Sequence, residues 1–132
     1  MIPAEEILAG LEQAGIRLGL DHLRAVVEDL GHPERSCPSI LVAGTNGKGS
    51  VSALLASIAR AAGLRAGFYS SPHLERVEER IRLLGDPISN ERLGSALRRV
   101  LAVARSRGHQ GLTYFEAMTL SAFLAFADES LD

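Results

Sequence analysis

The chain has 132 residues, of which 46% are apolar and 23% are charged, so it is long enough for one domain with an apolar core. The formal net charge of −2 excludes the basic excess that nucleic-acid-binding proteins usually show. A single cysteine excludes an internal disulfide, no apolar run approaches the ~20 residues of a membrane span, and the acidic N-terminus is unlike a signal peptide. We therefore expect a soluble cytoplasmic protein with no nucleic-acid or membrane partner.

Two short helices are predicted at the start of the chain. Pro3, followed by two glutamates, favours a helix start, and Gly15 is expected to end that helix. Asp21 is expected to cap a second helix that ends before Gly31.

A βαβ unit is predicted over residues 39–70. The apolar run 39–43 is typical of a buried parallel strand. Apolar residues at helical spacing predict a helix over 49–62, and a second short strand follows at 66–69. Such a unit has parallel strands and a right-handed crossover.

The rest of the chain is predicted to be a strand followed by two helices. Residues 80–83 alternate like a half-buried strand. Asn90 is expected to cap a long helix through Arg107, and Thr113 a last apolar helix to about Ala127. The fold class is therefore α/β, a P-loop-type parallel sheet with flanking helices. A further parallel strand would be needed after the last helix to complete it.

A glycine-rich loop, residues 44–50, connects the predicted strand 39–43 to the helix after it. Backbone N–H groups in such a turn point at phosphate oxygens, and the helix N-terminus adds partial positive charge. Lys48, the only lysine in the chain, can reach the β and γ phosphates, and Ser50 offers a hydroxyl to Mg²⁺. The common P-loop has glycine at the position of Val42, and serine or threonine directly after the lysine, where this chain has Gly49. A glycine-rich turn that binds no ligand is the simpler alternative.

Five motifs in the same order resemble folylpolyglutamate synthase and dihydrofolate synthase, of the Mur-ligase superfamily. They are Leu18–Asp21, Gly44–Ser50, Tyr69–Leu74, Glu79–Arg82 and Leu112–Glu116. The resemblance covers the chain from about Gly15 to its last residue. A Mur-type ligase for cell-wall precursors is a weaker alternative, because those enzymes more often carry Lys-Thr or Lys-Ser in the loop.

The resemblance implies an ATP-dependent ligase that joins L-glutamate to dihydropteroate or folate through an acyl phosphate, with ATP and Mg²⁺ as cofactors. Residues 1–132 would then be the N-terminal part of an incomplete three-layer Mur-ligase central domain, with the remainder of that domain and a C-terminal domain absent. The chain is expected to be a monomer that has little ligase activity by itself. The alternative is a nucleotide-binding module without ligase chemistry.

The resemblance also assigns site residues. It implies that ATP phosphates are bound by Thr45, Asn46, Gly47, Lys48, Gly49 and Ser50, with Lys48 as the catalytic residue. It assigns magnesium to Ser50, Ser71 and Glu116, and the pteroate substrate to Ile16, Arg17 and Leu18. Spacing alone favours a different role for Glu116, because Thr113 and Glu116 have the spacing of a capping box. Three histidines, His22, His32 and His109, are expected to face solvent.

Overall fold

The structure is a computed structural model that describes residues 2–11, 19–108 and 111–132. The helices within these ranges are α1 (Ala4–Ala9), α2 (Asp21–Asp29), α3 (Lys48–Ala61), α4 (Asn90–Ser106) and α5 (Tyr114–Glu129). The strands are β1 (Gly67–Tyr69), β2 (Ile81–Leu83) and β3 (Asp86–Pro87). The first helix therefore ends at Ala9, and its predicted end, Gly15, lies outside the described residues.

The three strands form one small antiparallel sheet in the order β1-β2-β3. Phe68 lies opposite Arg82 in the first pair, and Leu83 lies opposite Asp86 in the second. Ile81 and Leu83 are buried while Arg82 between them is half-buried, which is the alternation predicted for residues 80–83.

Helices α4 and α5 form the centre of the core. Leu93 and Leu97 of α4 are fully buried with Met118 of α5, and α1 adds Leu8 to the same cluster. A second cluster joins Val26 of α2 to Val100 of α4 and Leu120 of α5. None of the described helices is both long and apolar enough to cross a membrane.

Strand β1 lies very close to the end of α5. A Cβ on Gly67 would fall 2.6 Å from Leu131 Cδ1 and 2.6 Å from the Phe126 ring, so a larger residue here would have to displace those two side chains. The Tyr69 hydroxyl lies 3.1 Å from that of Thr119 on α5, and burial raises the pKa of Tyr69. These contacts fix the segment after β1 relative to α5.

The prediction of a buried strand over residues 39–43 is wrong. The segment pairs with none of the described strands, and Ile40 and Leu41 are 77% and 92% exposed. The parallel βαβ unit is therefore not formed, although α3 and β1 both form where they were predicted. The physical reason is that a parallel strand needs a hydrogen-bonded neighbour and cover on both faces, and the described residues supply neither to this segment.

Two of the three predicted helix caps are wrong. Asp21 is the first residue of α2, and its carboxylate lies 3.7 Å from Arg24 in the same helix. The cap of α4 is Ser89, because the Asn90 amide instead donates to buried Glu78 at 2.9 Å. Thr113 caps α5 as predicted.

Candidate functional site

The glycine-rich loop is fully exposed and leads directly into α3. Gly47 precedes the helix with φ 76°, and Gly44 has φ 151°, both in the region that favours glycine. Gly49 lies inside the first turn of α3, where an added Cβ would meet no atom within 4 Å. The loop therefore presents backbone N–H groups and a helix N-terminus to solvent, the arrangement that binds phosphate.

The exposed side chain of Lys48 folds back over the loop. Its Nζ donates to the carbonyl of Gly44 at 2.5 Å and to that of Thr45 at 3.4 Å. No carboxylate lies within ion-pair distance of Lys48 in the part of the chain that the structure describes. The positive charge is therefore held at the loop without a counter-ion, which suits an anionic ligand.

A cavity of about 420 Å³ lies between α3 and the sheet. Gly49 lines it from the first turn of α3, and Ser70, Pro72 and His73 line it from the loop after β1. The structure thus brings the start of α3 and residues Ser71–His73, here called the Ser-Pro-His loop, to one opening. Glu116 is not among the residues that line this cavity.

The Ser-Pro-His loop is held by side chains of the Glu-Arg motif that follows it. The Glu79 carboxylate accepts hydrogen bonds from the backbone N–H groups of Leu74, Glu75 and Arg76, at 3.0, 3.3 and 3.0 Å. Arg80 Nε donates to His73 Nδ1 at 2.8 Å. The Arg80 guanidinium also lies 5.1 Å from the centre of the Tyr114 ring, so Arg80 connects this loop to the first turn of α5.

Glu116 is held by two partners within the protein. Its Oε2 accepts from the backbone N–H of Thr113 at 2.9 Å, which completes the capping box of α5. Its Oε1 accepts from His22 Nε2 at 2.8 Å, and both side chains are nearly buried. The prediction that His22 faces solvent is therefore wrong, and His109 lies outside the described residues. Residue 22 lies 94 positions before its partner, so no local sequence pattern indicates the contact.

The other site residues assigned by resemblance are either exposed or outside the described part of the chain. Ser50 and Ser71 are exposed, and Ser71 forms a cis peptide bond with Pro72. Ile16, Arg17 and Leu18 lie outside the described residues. Within those residues no group of three or more His, Cys, Asp or Glu side chains is placed to hold a metal ion, so a metal site there would need ligands of other kinds as well.

The hydrogen bonds to Glu79 predict acid sensitivity of the Ser-Pro-His loop. The N–H groups of Leu74 and Arg76 hold the pKa of Glu79 below its usual value. A lowered folded-state pKa contributes stability above the unfolded-state pKa of about 4.3, and that contribution is lost as the pH falls through the folded value. The urea midpoint of the unmodified chain should therefore fall as the pH is lowered from 6. The fall should be smaller in Glu79→Gln, which lacks the titrating carboxylate.

The matched control for this prediction is Glu75→Gln. Glu75 is exposed, and its carboxylate accepts no hydrogen bond from any residue that the structure describes. Its replacement should leave the pH dependence of the urea midpoint as in the unmodified chain. Identical pH profiles for Glu79→Gln and the unmodified chain would contradict the assignment.

The fold and site together define an α/β protein with an exposed glycine-rich, lysine-bearing loop at a helix N-terminus. No protein-family profile matches the chain. It is 39% identical over 125 residues to the dihydrofolate synthase/folylpolyglutamate synthase of Escherichia coli, covering 95% of this chain and 29% of that protein. It is 40% identical over 136 residues to the protein of the same name from Haemophilus influenzae, covering 98% of this chain and 30% of that one.

Solved structures agree with the sequence relatives. A bifunctional folylpolyglutamate synthase/dihydrofolate synthase with Mn, AMPPNP and L-glutamate bound has a TM-score of 0.89 at 42% identity, over 99% of this chain and 32% of that one. An E. coli FolC structure with DHPP and ADP also has a TM-score of 0.89, at 38% identity, over 99% of this chain and 32% of that one. The chain is thus a homologue of the folylpolyglutamate/dihydrofolate synthases, and it spans about 30% of their length. The resemblance found in the sequence is confirmed, as is the α/β class.

Proposed function

We propose that this chain forms the nucleotide-binding part of an ATP-dependent ligase that joins L-glutamate to dihydropteroate, to folate or to both. The observation that carries the proposal is the exposed loop 44–50, with Lys48 held over it and no carboxylate beside it. The similarity to enzymes solved with AMPPNP, ADP and L-glutamate supports it. In domain terms, residues 1–132 would be the N-terminal part of the ATP-binding domain.

In this proposal the loop 44–50 binds the phosphates of ATP. The backbone from Thr45 to Ser50 surrounds the phosphate oxygens, and the Lys48 ammonium moves from the loop carbonyls to the transferred phosphoryl group. A carboxylate is a poor electrophile until one of its oxygens becomes part of a phosphate leaving group. Transfer of the γ-phosphoryl from ATP to the carboxylate of pteroate or folate would release ADP and give an acyl phosphate. The amine of glutamate would then displace inorganic phosphate and lose a proton as the amide forms. Lys48 and the metal neutralise the developing charge.

The available oxygen donors fit Mg²⁺. The hydroxyls of Ser50 and Ser71 make no hydrogen bond to any other described residue. Each Glu116 oxygen accepts one hydrogen bond and retains a second acceptor site. Two hydroxyls and one carboxylate, completed by phosphate and water, suit an ion that keeps much of its hydration. We assign the pteroate contact to Ile16, Arg17 and Leu18, which precede α2.

Glu116→Gln separates the capping role of this residue from its proposed metal role. Glutamine also closes a capping box, and its amide can donate to His22 Nε2 in the other ring tautomer, so the free energy of unfolding should change by less than about 1 kcal/mol. Loss of the carboxylate should nonetheless weaken Mg²⁺-dependent ATP binding, measured by calorimetry with and without the metal. Magnesium dependence equal to that of the unmodified chain would remove Glu116 from the metal site and leave it as a cap.

A binding measurement combined with a ligase assay tests the proposed function. The 132-residue chain is incubated with ATP, Mg²⁺, dihydropteroate and glutamate, with the E. coli enzyme as the positive control. We expect ATP binding with little or no product, because closure of a second domain ordinarily excludes water and positions the substrates. Failure to bind ATP would refute the proposal.

The alternative is a nucleotide-binding module without ligase chemistry; the chain spans about 30% of the relatives' length. Turnover by this chain near that of the E. coli enzyme would refute this alternative. It would also contradict the expected lack of activity of the 132 residues.

A further inference from the structure

Two arginines from different elements meet at the turn between β2 and β3. Arg82 of β2 is half-buried, and its Nη1 donates to the carbonyl of Gly85 at 3.3 Å. Arg60, in the last turn of α3, lies against the same glycine, because a Cβ built on Gly85 would overlap the Arg60 guanidinium. The two guanidinium groups therefore converge on one residue of the turn, and they are called the arginine pair below.

The charges of the arginine pair are not neutralised within the described part of the chain. No carboxylate of a described residue lies within ion-pair distance of Arg60 or Arg82. Asp86, which follows Gly85 in the chain, is exposed and pairs with neither arginine. Two like charges held at one turn repel each other, and a bound anion removes that repulsion. The arginine pair therefore has the electrostatics of an anion site.

The cavity between α3 and the sheet reaches from the loop 44–50 to the arginine pair. Arg60 and Arg82 line it at one end, and Gly49 lines it at the start of α3. Among the described residues that line it, only Glu79 is acidic, and the Glu79 oxygens already accept three backbone N–H groups. The lining between the two ends is mostly small or apolar, as at Ala53 and Phe68. An anion can therefore enter without meeting a free carboxylate.

The arginine pair is a separate site from the loop. Gly49 and Arg60 lie near opposite ends of α3, so their Cα atoms are about 16 Å apart at ~1.5 Å per residue. An arginine side chain on a helix leans back toward the N-terminus, but one phosphate group still cannot bridge this separation. A ligand that occupies both ends of the cavity is elongated and carries an anionic group far from the transferred phosphate.

The proposed ligation supplies a ligand of this form. Each addition of glutamate converts one carboxylate of the acceptor to an amide and brings two new carboxylates. The acceptor therefore gains one negative charge per addition, whereas dihydropteroate carries only the carboxylate that reacts. A guanidinium fork pairs with a carboxylate through two parallel hydrogen bonds.

We propose that Arg60 and Arg82 bind a non-reacting carboxylate of an acceptor that already carries several glutamyl residues. The arginine pair then favours such acceptors over dihydropteroate. The choice of ligand rests on the proposed function, whereas the anion site rests on the geometry of the two arginines alone.

Calorimetry with separate ligands tests the arginine pair. Pteroyltriglutamate, pteroate, inorganic phosphate and ATP with Mg²⁺ are each titrated into the 132-residue chain. Arg60→Gln/Arg82→Gln should bind pteroyltriglutamate about tenfold more weakly than the unmodified chain, since it loses charge-assisted hydrogen bonds. Its affinities for pteroate and ATP should stay within about twofold, because neither ligand needs the arginine pair. Arg60→Lys/Arg82→Lys keeps both charges without the planar fork, so its loss should be smaller.

The matched control is Arg98→Gln/Arg105→Gln. Both arginines are exposed residues of α4, and neither forms an ion pair with a described residue. The control removes the same two charges and should retain the affinity for pteroyltriglutamate. Circular dichroism checks the fold of each variant. Arg60→Gln alone changes only an exposed side chain and should weaken binding in the same direction as the double variant.

The outcomes separate this inference from the proposed function. Equal affinity of the unmodified chain and Arg60→Gln/Arg82→Gln for pteroyltriglutamate would overturn the arginine pair, as would an equal loss in the α4 control. Arginine-dependent binding of inorganic phosphate without binding of pteroyltriglutamate would show a site for small free anions and overturn the carboxylate assignment. A chain that keeps arginine-dependent binding of pteroyltriglutamate but does not bind ATP would support the arginine pair and refute the proposed function alone.

Discussion

Lys48→Ala is expected to weaken ATP binding about 10- to 150-fold, because a charge-assisted hydrogen bond contributes roughly 1.5–3 kcal/mol. The ammonium group lies over the loop carbonyls of Gly44 and Thr45, within reach of a phosphate at the N-terminus of α3. Arginine supplies the other basic side chains of the protein, so no second lysine can take its place. Titration calorimetry with ATP and Mg²⁺ measures the change.

Arg98→Ala is the matched control for the charge. Arg98 is an exposed residue of α4 and makes no ion pair with any described residue. Its removal changes the net charge by the same unit as Lys48→Ala. It should leave the affinity for ATP within about twofold, since no residue of α4 lines the cavity beside the loop and an exposed charge away from the site is screened by salt. Equal losses in the two variants would assign the effect to overall charge and remove Lys48 from the phosphate site.

Leu97→Ala is expected to lower the free energy of unfolding by about 2–5 kcal/mol, the cost of deleting a large buried side chain and leaving a cavity. Leu97 is fully buried between α4 and α5, in the cluster that also contains Leu93 and Met118. Since domains of this size are stable by only about 5–15 kcal/mol, the loss is a large part of the total. Urea denaturation followed by circular dichroism measures it.

Leu74→Ala is the control for this prediction, because it makes the same chemical change at a solvent-exposed position. Leu74 is 93% exposed in the loop after the cis Ser71–Pro72 bond, and its replacement should change the free energy of unfolding by less than about 0.5 kcal/mol. A small effect at Leu97 as well would mean that α4 and α5 do not form the core. Their packing would then not be what fixes β1 and the Ser-Pro-His loop.

The local signals in the sequence predicted the helices well. The α3 helix begins at Lys48, within one residue of its predicted start, and α5 is capped by Thr113 through the expected capping box. Gly44 and Gly47 of the loop have positive φ, which glycine adopts at little cost, whereas Gly49 lies within α3. Each of these features depends on residues within one turn of each other.

The features that the sequence did not predict depend on distant partners. The strand at 39–43 was predicted from its apolar run, but an apolar run forms a strand only where a neighbour pairs with it. The contact of His22 with Glu116 and the contact of Arg80 with Tyr114 join residues that are far apart in the chain. Asn90 was assigned as a cap because its side chain is suited to that role, whereas a tertiary hydrogen bond to Glu78 uses its amide.

The backbone amides of the loop test the central claim most directly. ATP, ADP and adenosine are titrated separately into ¹⁵N-labelled protein with Mg²⁺, and the amide resonances are followed by nuclear magnetic resonance. We predict large shifts at Gly47, Lys48, Gly49 and Ser50 with ATP and ADP, and none with adenosine, since the loop binds phosphate. Unchanged loop amides with ATP, or equal shifts with adenosine, would contradict the account.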